Sequence, residues 1–239
     1  MPELPTESTP PPLPPSAPAP KSRVFVVDDH TMFREGLRQL LEREPGLTVC
    51  GDAADMAEAL PAIRAARPDV VIADISLGGG GNGIDLIKAL KAEYEDLPIL
   101  VVSMHDESLY AERVLRAGAM GYVMKHQPAK AMKVALHKVL GGEMYLSEKM
   151  ASEVITRFMR GETERPASPM AALSDRELTV FRMLGQGRGT RQISEELGVT
   201  VATVNSFRNR IKEKLRLKTA SEVMLHAIRW VQDSGGGSG

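Results

Sequence analysis

Five polar residues directly follow short apolar runs in the first half of the chain, and together they form what we call the acidic site. Asp28 and Asp29 follow the first run, Asp74 the third, Ser103 the fourth and Lys125 the fifth. Three carboxylates brought together need a cation, and carboxylate oxygens with water completing the shell suit Mg²⁺. The other two side chains suit an anion, because an ammonium pairs with a phosphoryl oxygen and a hydroxyl hydrogen-bonds to one.

The chemistry that this set supports is transfer of a phosphoryl group to a carboxylate. Asp74 is placed to attack phosphorus as a nucleophile, which gives an aspartyl phosphate. Each residue taken alone is explained as well by a loop cap, because Asp and Ser favour strand ends and turns. Five such residues at strand ends favour a site instead.

The elements that position the acidic site alternate between strand and helix. β-Branched runs occur at 24–27, 47–50, 70–73, 99–102 and 121–124, and helical patterns at 32–43, 56–67, 84–94, 108–117 and 129–140. This alternation predicts an α/β domain, with a five-stranded parallel, flavodoxin-like, doubly wound sheet covered on both faces. Ligands of such sheets bind beyond the carboxyl ends of the strands, where the strand order reverses. We therefore expect the five polar side chains to converge.

Charge divides the chain into two parts. Residues 21–145 carry 15 Lys and Arg against 18 Asp and Glu, a net of −3, whereas residues 171–233 carry 11 against 7, a net of +4. A basic domain is typical of a protein that binds nucleic acid. Two solvated surfaces of unlike charge would give the same net charges. The single cysteine, Cys50, excludes an internal disulfide and fits a reducing cytosol. No apolar run approaches the ~18 residues that span a bilayer, and the start of the chain does not resemble a secretory signal.

Composition also predicts the domain boundaries. Residues 1–20 hold most of the prolines and predict a disordered tail, and the glycine-rich residues 234–239 predict a flexible one. Between them we expect a first domain at 21–143, a linker helix with a flexible linker at 144–170, and a second domain at 171–233.

The second domain is predicted to be all α, with four helices. Helical patterns after the first domain lie at 147–159, 175–184, 191–197, 201–215 and 220–231. The helices at 191–197 and 201–215 are joined by a tight turn, in which Gly198 suits a left-handed position and Thr200 caps the next helix. This is a helix-turn-helix, whose second helix, the recognition helix, enters the major groove of DNA. An apolar stripe should face the other helices, formed by Val201, Val204, Ile211 and Leu215.

The polar residues of the helix-turn-helix are the candidates for DNA contact. Asn and Arg read adenine and guanine edges, whereas Lys, Thr and Ser mostly hold phosphates. The predicted contact residues are Thr190, Arg191, Thr200, Thr203, Asn205, Ser206, Arg208, Asn209, Arg210 and Lys212. The alternative is an ordinary solvated basic helix.

Residues 23–141 resemble the receiver domain of the response-regulator superfamily. The stretches that carry the resemblance are VFVVDDH, DVVIADISL, ILVVSM and GYVMK. The resemblance implies that Asp74 is the phosphoacceptor, that Asp28 and Asp29 are the acidic pair that binds Mg²⁺ with it, and that Ser103 and Lys125 are the switch hydroxyl and the phosphate-binding lysine.

Three further positions of the first domain bear on the resemblance. Tyr122 matches the family aromatic whose ring moves with the switch hydroxyl, although it is equally a half-buried strand aromatic. The loop at 77–83 is one residue longer than usual and lacks the usual proline, and His126 follows the lysine where the family has a proline or an acidic residue.

Residues 173–230 resemble the LuxR-type helix-turn-helix domain of the NarL/FixJ family of two-component response regulators. The stretches LSDRE, RQISEELGVT and IKEKL carry this resemblance, together with Thr203 and Val204. One departure is that Asn205-Ser206-Phe207 stands where the family often has Lys-x-His after the valine, so a DNA site preference cannot be carried over.

The resemblances together imply a cytoplasmic, phosphorylation-controlled transcription regulator. Its implied partners are a sensor histidine kinase or phosphotransfer protein, double-stranded DNA and a second copy of the chain when active, with no membrane. In the inactive state we expect the receiver to cover the recognition helix. One alternative is a constitutively dimeric, phosphorylation-independent regulator. Another is an aspartyl phosphatase. Such an enzyme typically has a second Asp, acting as acid and base, two residues after the nucleophile, but Ser76 occupies that position here.

Overall fold

The first domain is a parallel five-stranded sheet covered by helices on both faces. The computed structural model describes residues 21–77, 81–159 and 169–235. The strands are β1 (Ser22–Val27), β2 (Leu47–Ala53), β3 (Val70–Ala73), β4 (Ile99–Ser103) and β5 (Gly121–Met124). Their order is β2-β1-β3-β4-β5, so the strand order reverses between β1 and β3. This confirms the predicted fold and places the carboxyl ends of β1 and β3 side by side.

Alternate residues of the central strands feed two separate cores. In β1, Val24 and Val26 face one side of the sheet, while Phe25 and Val27 face the other. Every residue of β3 and β4 is buried, which is why both read as unbroken apolar runs in the sequence. The buried strands hold the loops at their carboxyl ends on a rigid base.

The helices of the first domain lie close to their predicted positions. They are α1 (Thr31–Glu42), α2 (Met56–Ala66), α3 (Gly83–Glu93), α4 (Glu107–Arg116) and α5 (Ala129–Leu140), followed by α6 (Glu148–Met159). The side chain of Asp55 accepts a hydrogen bond from the Glu58 amide at the start of α2, as its sequence signal predicts. None of the helices in the described ranges is long and apolar enough to cross a bilayer.

The second domain consists of four helices after a short 3₁₀ turn. The turn is Pro169–Ala172, and the helices are α7 (Asp175–Gly185), α8 (Thr190–Glu196), α9 (Val201–Lys214) and α10 (Ala220–Gly235). Ser174 and Glu177 form the predicted capping box of α7. Gly198 has a φ of +62° in the α8–α9 turn, and Thr200 accepts from the Thr203 amide. These features confirm the helix-turn-helix.

The predicted terminal segments differ in how far the structure tests them. The flexible tail predicted at 234–239 starts two residues too early, because α10 continues through Gly235. The remaining residues of that tail, the Pro-rich segment 1–20 and the linker residues 160–168 lie outside the described residues.

Ion pairs join the two domains, and Asp175 is at their centre. Its carboxylate accepts from Lys88 Nζ of α3 at 3.1 Å and from Arg113 Nη1 of α4 at 3.0 Å. Arg113 also donates to the backbone carbonyl of Met170 at 2.8 Å. Since Asp175 begins α7, these contacts fix that helix against the first domain.

Candidate functional site

Asp74 and Lys125 form the buried centre of the acidic site. Asp74 follows β3 and Lys125 follows β5, and their side chains are 3% and 5% exposed. Lys125 Nζ donates to Asp74 Oδ2 at 2.8 Å and lies 2.6 Å from Asp28 Oδ2. The other Asp74 oxygen accepts from the Ile75 amide at 2.6 Å. Lys125 therefore holds two carboxylates from neighbouring strands in one pocket.

The other acidic residues complete a group with the dimensions of a metal site. Asp28, Asp29, His30 and Asp74 each offer a ligand atom, and these atoms lie within 4.8 Å of one another. His30 Nδ1 lies 2.6 Å from an Asp29 oxygen and 3.3 Å from an Asp28 oxygen. Asp28 is buried and Asp29 is exposed, so the group opens to solvent on one side. Three carboxylates with solvent access fit a hard divalent cation that keeps part of its water shell.

Burial and pairing oppose each other in the protonation of this site. Burial raises the pKa of Asp28, and the hydrogen bond from Lys125 offsets only part of that rise. Burial alone would lower the pKa of Lys125, but the neighbouring Asp74 and Asp28 carboxylates outweigh it and the pKa is raised. Lys125 therefore stays charged, while Asp28 keeps more affinity for a proton than an exposed carboxylate. A divalent cation at this position would favour the ionised form.

Ser103 and Tyr122 lie beside the acidic site on β4 and β5. Ser103 is fully buried, and its hydroxyl accepts a long hydrogen bond of 3.5 Å from the His105 amide. The Tyr122 ring is 1% exposed, and its hydroxyl donates to the His105 carbonyl at 2.8 Å. Burial raises the pKa of Tyr122 well above its usual value, so the hydroxyl remains a donor. Both side chains thus converge on the segment that follows β4.

The loop after Asp74 is closed by a short bridge. Ser76 and Asn82 pair across its ends, the Gly83 amide donates to the Ile75 carbonyl at 2.7 Å, and Asn82 caps α3. A Cβ at Gly83 would lie 1.9 Å from the Asp74 carbonyl oxygen, so the close approach requires glycine. Residues 78–80 of the predicted glycine loop lie outside the described residues.

Helix α7 of the second domain covers the entrance to the acidic site. Between them is a cavity of about 170 Å³, lined by Asp29, Ser76 and His105 on one side and by Thr179 and Arg182 on the other. Ser76 Oγ lies 3.0 Å from His105 Nε2. The aspartyl-phosphatase alternative required an acid at position 76, and the serine there is engaged with a histidine.

The recognition helix, α9, presents most of its polar residues to solvent. Asn205, Ser206, Asn209 and Arg210 are exposed, while Val204 and Ile211 are buried. The prediction that the receiver covers this surface is therefore wrong for this structure, in which α7 faces the receiver instead. Val201 was also expected in the apolar stripe but is 45% exposed. It is the first residue of α9, and its side chain does not reach the packed layer.

The other predicted DNA contacts occupy the edges of the same surface. Arg191 and Thr200 are exposed, and Thr190, Thr203, Arg208 and Lys212 are half-buried. Arg208 Nη1 donates to Thr190 Oγ1 at 2.9 Å, and its Nε is buried without a partner. Arg208 therefore ties α9 to the start of α8, in addition to any contact with DNA.

Several residues of the site escaped the sequence analysis. His30 had a signal, because it follows the acidic pair directly, and Asn82 and Gly83 form a helix start that was not recognised. His105 lies two residues after Ser103, without a pattern that marks it. Arg182 had no signal, since its partner Ser76 is 106 residues away in the chain.

Comparison with known families identifies both domains. The response regulator receiver domain matches residues 24–137, and the luxR family of bacterial regulatory proteins matches residues 171–227. The two matches coincide with the sheet domain and the helix-turn-helix domain.

Relatives and solved structures agree with these two family matches. The oxygen regulatory protein NreC of Staphylococcus epidermidis is 31% identical over 211 residues, covering 87% of this chain and 97% of that protein. The crystal structure of a LuxR-family two-component response regulator from an Aurantimonas species is 34% identical, with a TM-score of 0.54 over 58% of this chain and 99% of that one. The RcsB response regulator of Salmonella typhimurium shares the fold, with 24% identity and a TM-score of 0.65 over 89% of this chain and 98% of that one.

Proposed function

The chain belongs to the LuxR-type two-component response regulators, and from that premise we propose that phosphorylation of Asp74 controls its binding to DNA. The family consists of DNA-binding regulators rather than enzymes, as the sequence led us to expect. The phosphodonor that fits this role is a sensor histidine kinase or a phosphotransfer protein. Binding to DNA makes the cytoplasm its site of action.

The observation that carries the proposal is the pairing of Lys125 with Asp74. A phosphoryl acceptor needs a carboxylate oxygen and a fixed positive charge for the incoming group, and Lys125 Nζ lies 2.8 Å from Asp74 Oδ2. In the transfer, an Asp74 oxygen forms a bond to phosphorus while the bond from phosphorus to the donor breaks, and the donor atom leaves with that electron pair. The Lys125 ammonium then pairs with a phosphoryl oxygen.

The metal that fits the site is Mg²⁺, held by Asp28, Asp29 and Asp74, whose ligand atoms lie within 4.8 Å of one another. When bound, it supplies positive charge between the carboxylates and the phosphoryl oxygens. His30 belongs to the same group but offers nitrogen, which Mg²⁺ does not favour. The exposed side of Asp29 leaves room for water.

The surface that reads DNA is the exposed face of α9. Asn205, Asn209 and Arg210 project from it and are able to hydrogen-bond base edges in the major groove. Arg191 at the start of α8 is exposed and is the proposed contact to phosphates. Since the domain carries a net charge of +4, affinity for DNA should fall as salt concentration rises.

A second copy of the chain is the proposed partner in the active state. Val223 and Ala227 of α10 are buried, but Leu225 is 55% exposed, and Ile228 on the same face is half-buried. Leu225 and Ile228 form an exposed ridge on α10. Two copies joined through this ridge would engage two DNA half-sites, and binding of the second half-site would become effectively intramolecular. Phosphorylation is proposed to favour this pairing.

The test is a comparison of the wild type with Asp74→Asn, incubated with Mg²⁺ and a small phosphodonor. We expect acid-labile phosphate in the wild type only, and tighter binding to selected DNA after phosphorylation. Asp29→Asn should weaken Mg²⁺ binding while the fold is retained. Equal DNA affinity and equal dimer content in Asp74→Asn and the phosphorylated wild type would favour the constitutively dimeric alternative.

A further inference from the structure

Arg182, in α7 of the second domain, reaches the entrance of the acidic site in the first. Its Nη1 contacts both ring nitrogens of His105, and its Nη2 donates to Ser76 Oγ at 3.4 Å. Ser76 is two residues after Asp74, and His105 is two residues after Ser103. The guanidinium therefore lies between the two chain segments that lead away from the acidic site.

The groups that hold this guanidinium are neutral. Burial, helped by the positive charges of Arg182 and Lys125, lowers the pKa of His105 to about 3, so its ring is uncharged at neutral pH. The other contact, Ser76, is a hydroxyl. Hydrogen bonds to these groups orient Arg182 but supply no negative charge.

Arg182 also lacks the partner that a half-buried cation normally has. Across residues 21–77, 81–159 and 169–235, no carboxylate forms an ion pair with Arg182. The carboxylates at this interface and in the second domain pair with other cations, as Asp175, Asp85, Glu196 and Glu177 do. The Nε–H of Arg182 is buried and has no acceptor. Removing a charge from water is costly unless an opposite charge compensates for it. The geometry at Arg182 is that of an anion-binding group without its anion.

The space next to the guanidinium is able to take that anion. The cavity of about 170 Å³ is several times the ~30 Å³ that a water molecule occupies, and it extends from Arg182 to Asp29 and Asn82. Glu196 also lines it without pairing with Arg182. Lys125 Nζ contacts the Oδ2 atoms of Asp28 and Asp74. Asp29, Ile75 and Ser76, which follow these two residues in the chain, line the cavity, so a phosphoryl group on Asp74 has this space beside it.

We propose that Arg182 binds the phosphoryl group carried by Asp74, so that the DNA-binding domain contributes a ligand to the receiver's site. This inference rests on the proposed function of Asp74. The planar guanidinium fork presents two N–H donors to phosphoryl oxygens at once, and Nε is a donor that still lacks an acceptor.

Two consequences follow for the regulation of the chain. Because binding linkage is reciprocal, a bound phosphoryl mimic strengthens the docking of α7 by the same factor by which docking strengthens the binding of that mimic. The docked arrangement leaves Asn205 and Arg210 of α9 exposed, so the interface does not cover these two side chains. Phosphorylation would thus fix the DNA-binding domain in one orientation rather than release it.

The experiment titrates the full-length protein with beryllofluoride, a phosphoryl mimic, in the presence of Mg²⁺, and follows the bound ion by ¹⁹F NMR. Arg182→Ala should weaken the apparent affinity about tenfold, as expected for loss of a charge-assisted hydrogen bond. Arg182→Lys should lose less, because it keeps the charge without the fork. The matched control is Arg176→Ala, on the same helix and the same cavity but 3.5 Å from Asp85, which should change the affinity less than twofold.

A second measurement covers the case in which Arg182→Ala does not fold. The ¹⁵N–¹H resonance of Arg182 Nε in the wild type should shift on addition of beryllofluoride, because the buried N–H gains an acceptor. Affinity that stays unchanged in Arg182→Ala, or becomes tighter, would overturn the inference; tighter binding would mean that Arg182 holds the site closed. No binding to the wild type or to any variant would overturn the proposed function of Asp74 itself, and so the two failures are distinguishable.

Discussion

The hydroxyl of Tyr122 donates a hydrogen bond to the backbone carbonyl of His105, 2.8 Å away. Tyr122 lies on β5, three residues before Lys125, and His105 is the residue whose ring contacts Arg182. The bond therefore joins the strand that Lys125 follows to the segment that faces the second domain. A change in the position of Tyr122 would be transmitted to His105 through this bond.

Tyr122→Phe should remove the bond with little change in packing. We expect a loss of about 1–3 kcal/mol in the free energy of unfolding, because the part-buried His105 carbonyl loses its donor. Urea denaturation of the wild type and the variant measures this difference. Equal stability would mean that solvent reaches the carbonyl in the variant.

The neutral His105 should make stability depend on pH. Burial, with Arg182 and Lys125 nearby, lowers its pKa to about 3, whereas an unfolded histidine titrates near 6.5. Between these values the unfolded chain binds the proton and the folded chain does not. Stability is therefore full above about pH 6.5 and falls as the pH is lowered toward 3, by at most about 1.4 kcal/mol per pH unit.

Denaturation midpoints of the wild type and His105→Gln between about pH 4 and 7 measure this contribution. The variant should show a shallower decline with acid than the wild type. The exposed His226 provides the control, since His226→Gln should leave the slope unchanged. Parallel curves for the wild type and His105→Gln would contradict the assignment.

Gly83 allows α3 to start directly against the acidic site. In Gly83→Ala the new Cβ would lie 1.9 Å from the Asp74 carbonyl oxygen, so the backbone must move, and we expect a loss of roughly 2–4 kcal/mol in stability together with weaker Mg²⁺ binding. Gly36→Ala is the matched control: no atom lies within 4 Å of its Cβ position in α1, and it should stabilise the protein by roughly 0.5–1 kcal/mol. Thermal denaturation and Mg²⁺ titration distinguish the two variants.

Arg208 and Arg210 should respond differently to substitution. Arg208 binds Thr190 Oγ1, so Arg208→Ala should lower both the melting temperature and the affinity for DNA. Arg210 is exposed, and Arg210→Ala should weaken DNA binding by about 1–3 kcal/mol if it reads a base, with no change in melting temperature. Calorimetry together with DNA titration at several salt concentrations tests this. A stable Arg208→Ala domain would show that the Thr190 contact is dispensable.

The exposed ridge on α10 gives a test of the proposed dimer. Leu225 is 55% exposed, so Leu225→Asp should leave the domain folded but place a charge on the proposed interface. Sedimentation of the phosphorylated chain should then show monomer where the wild type forms dimer. A dimer that survives this substitution would move the interface away from α10.

Much of the fold could be predicted because the sequence signals and the packing agree. β3 and β5 have the predicted bounds, since each is an apolar run with a polar residue at its end. β2 extends to Ala53, beyond its predicted end at residue 50. Gly51 weakens the strand signal locally, yet it is required there, because its Cβ would lie 2.5 Å from the Phe25 ring.

The part of the site that could not be predicted depends on contacts between distant segments. Asp28, Asp74 and Lys125 were predictable because parallel strands bring their carboxyl ends together. Arg182 was not, since its position depends on how the second domain docks, which Asp175, Lys88 and Arg113 determine. No local pattern encodes such a contact.

The bridge between Ser76 and Asn82 has a consequence for how the sequence can change over time. The ends of the loop are joined by this bridge and by the hydrogen bond from the Gly83 amide to the Ile75 carbonyl, so residues added between them need not displace Asp74 or α3. Loop closure entropy grows only slowly with length, and an extra glycine is therefore a nearly neutral insertion.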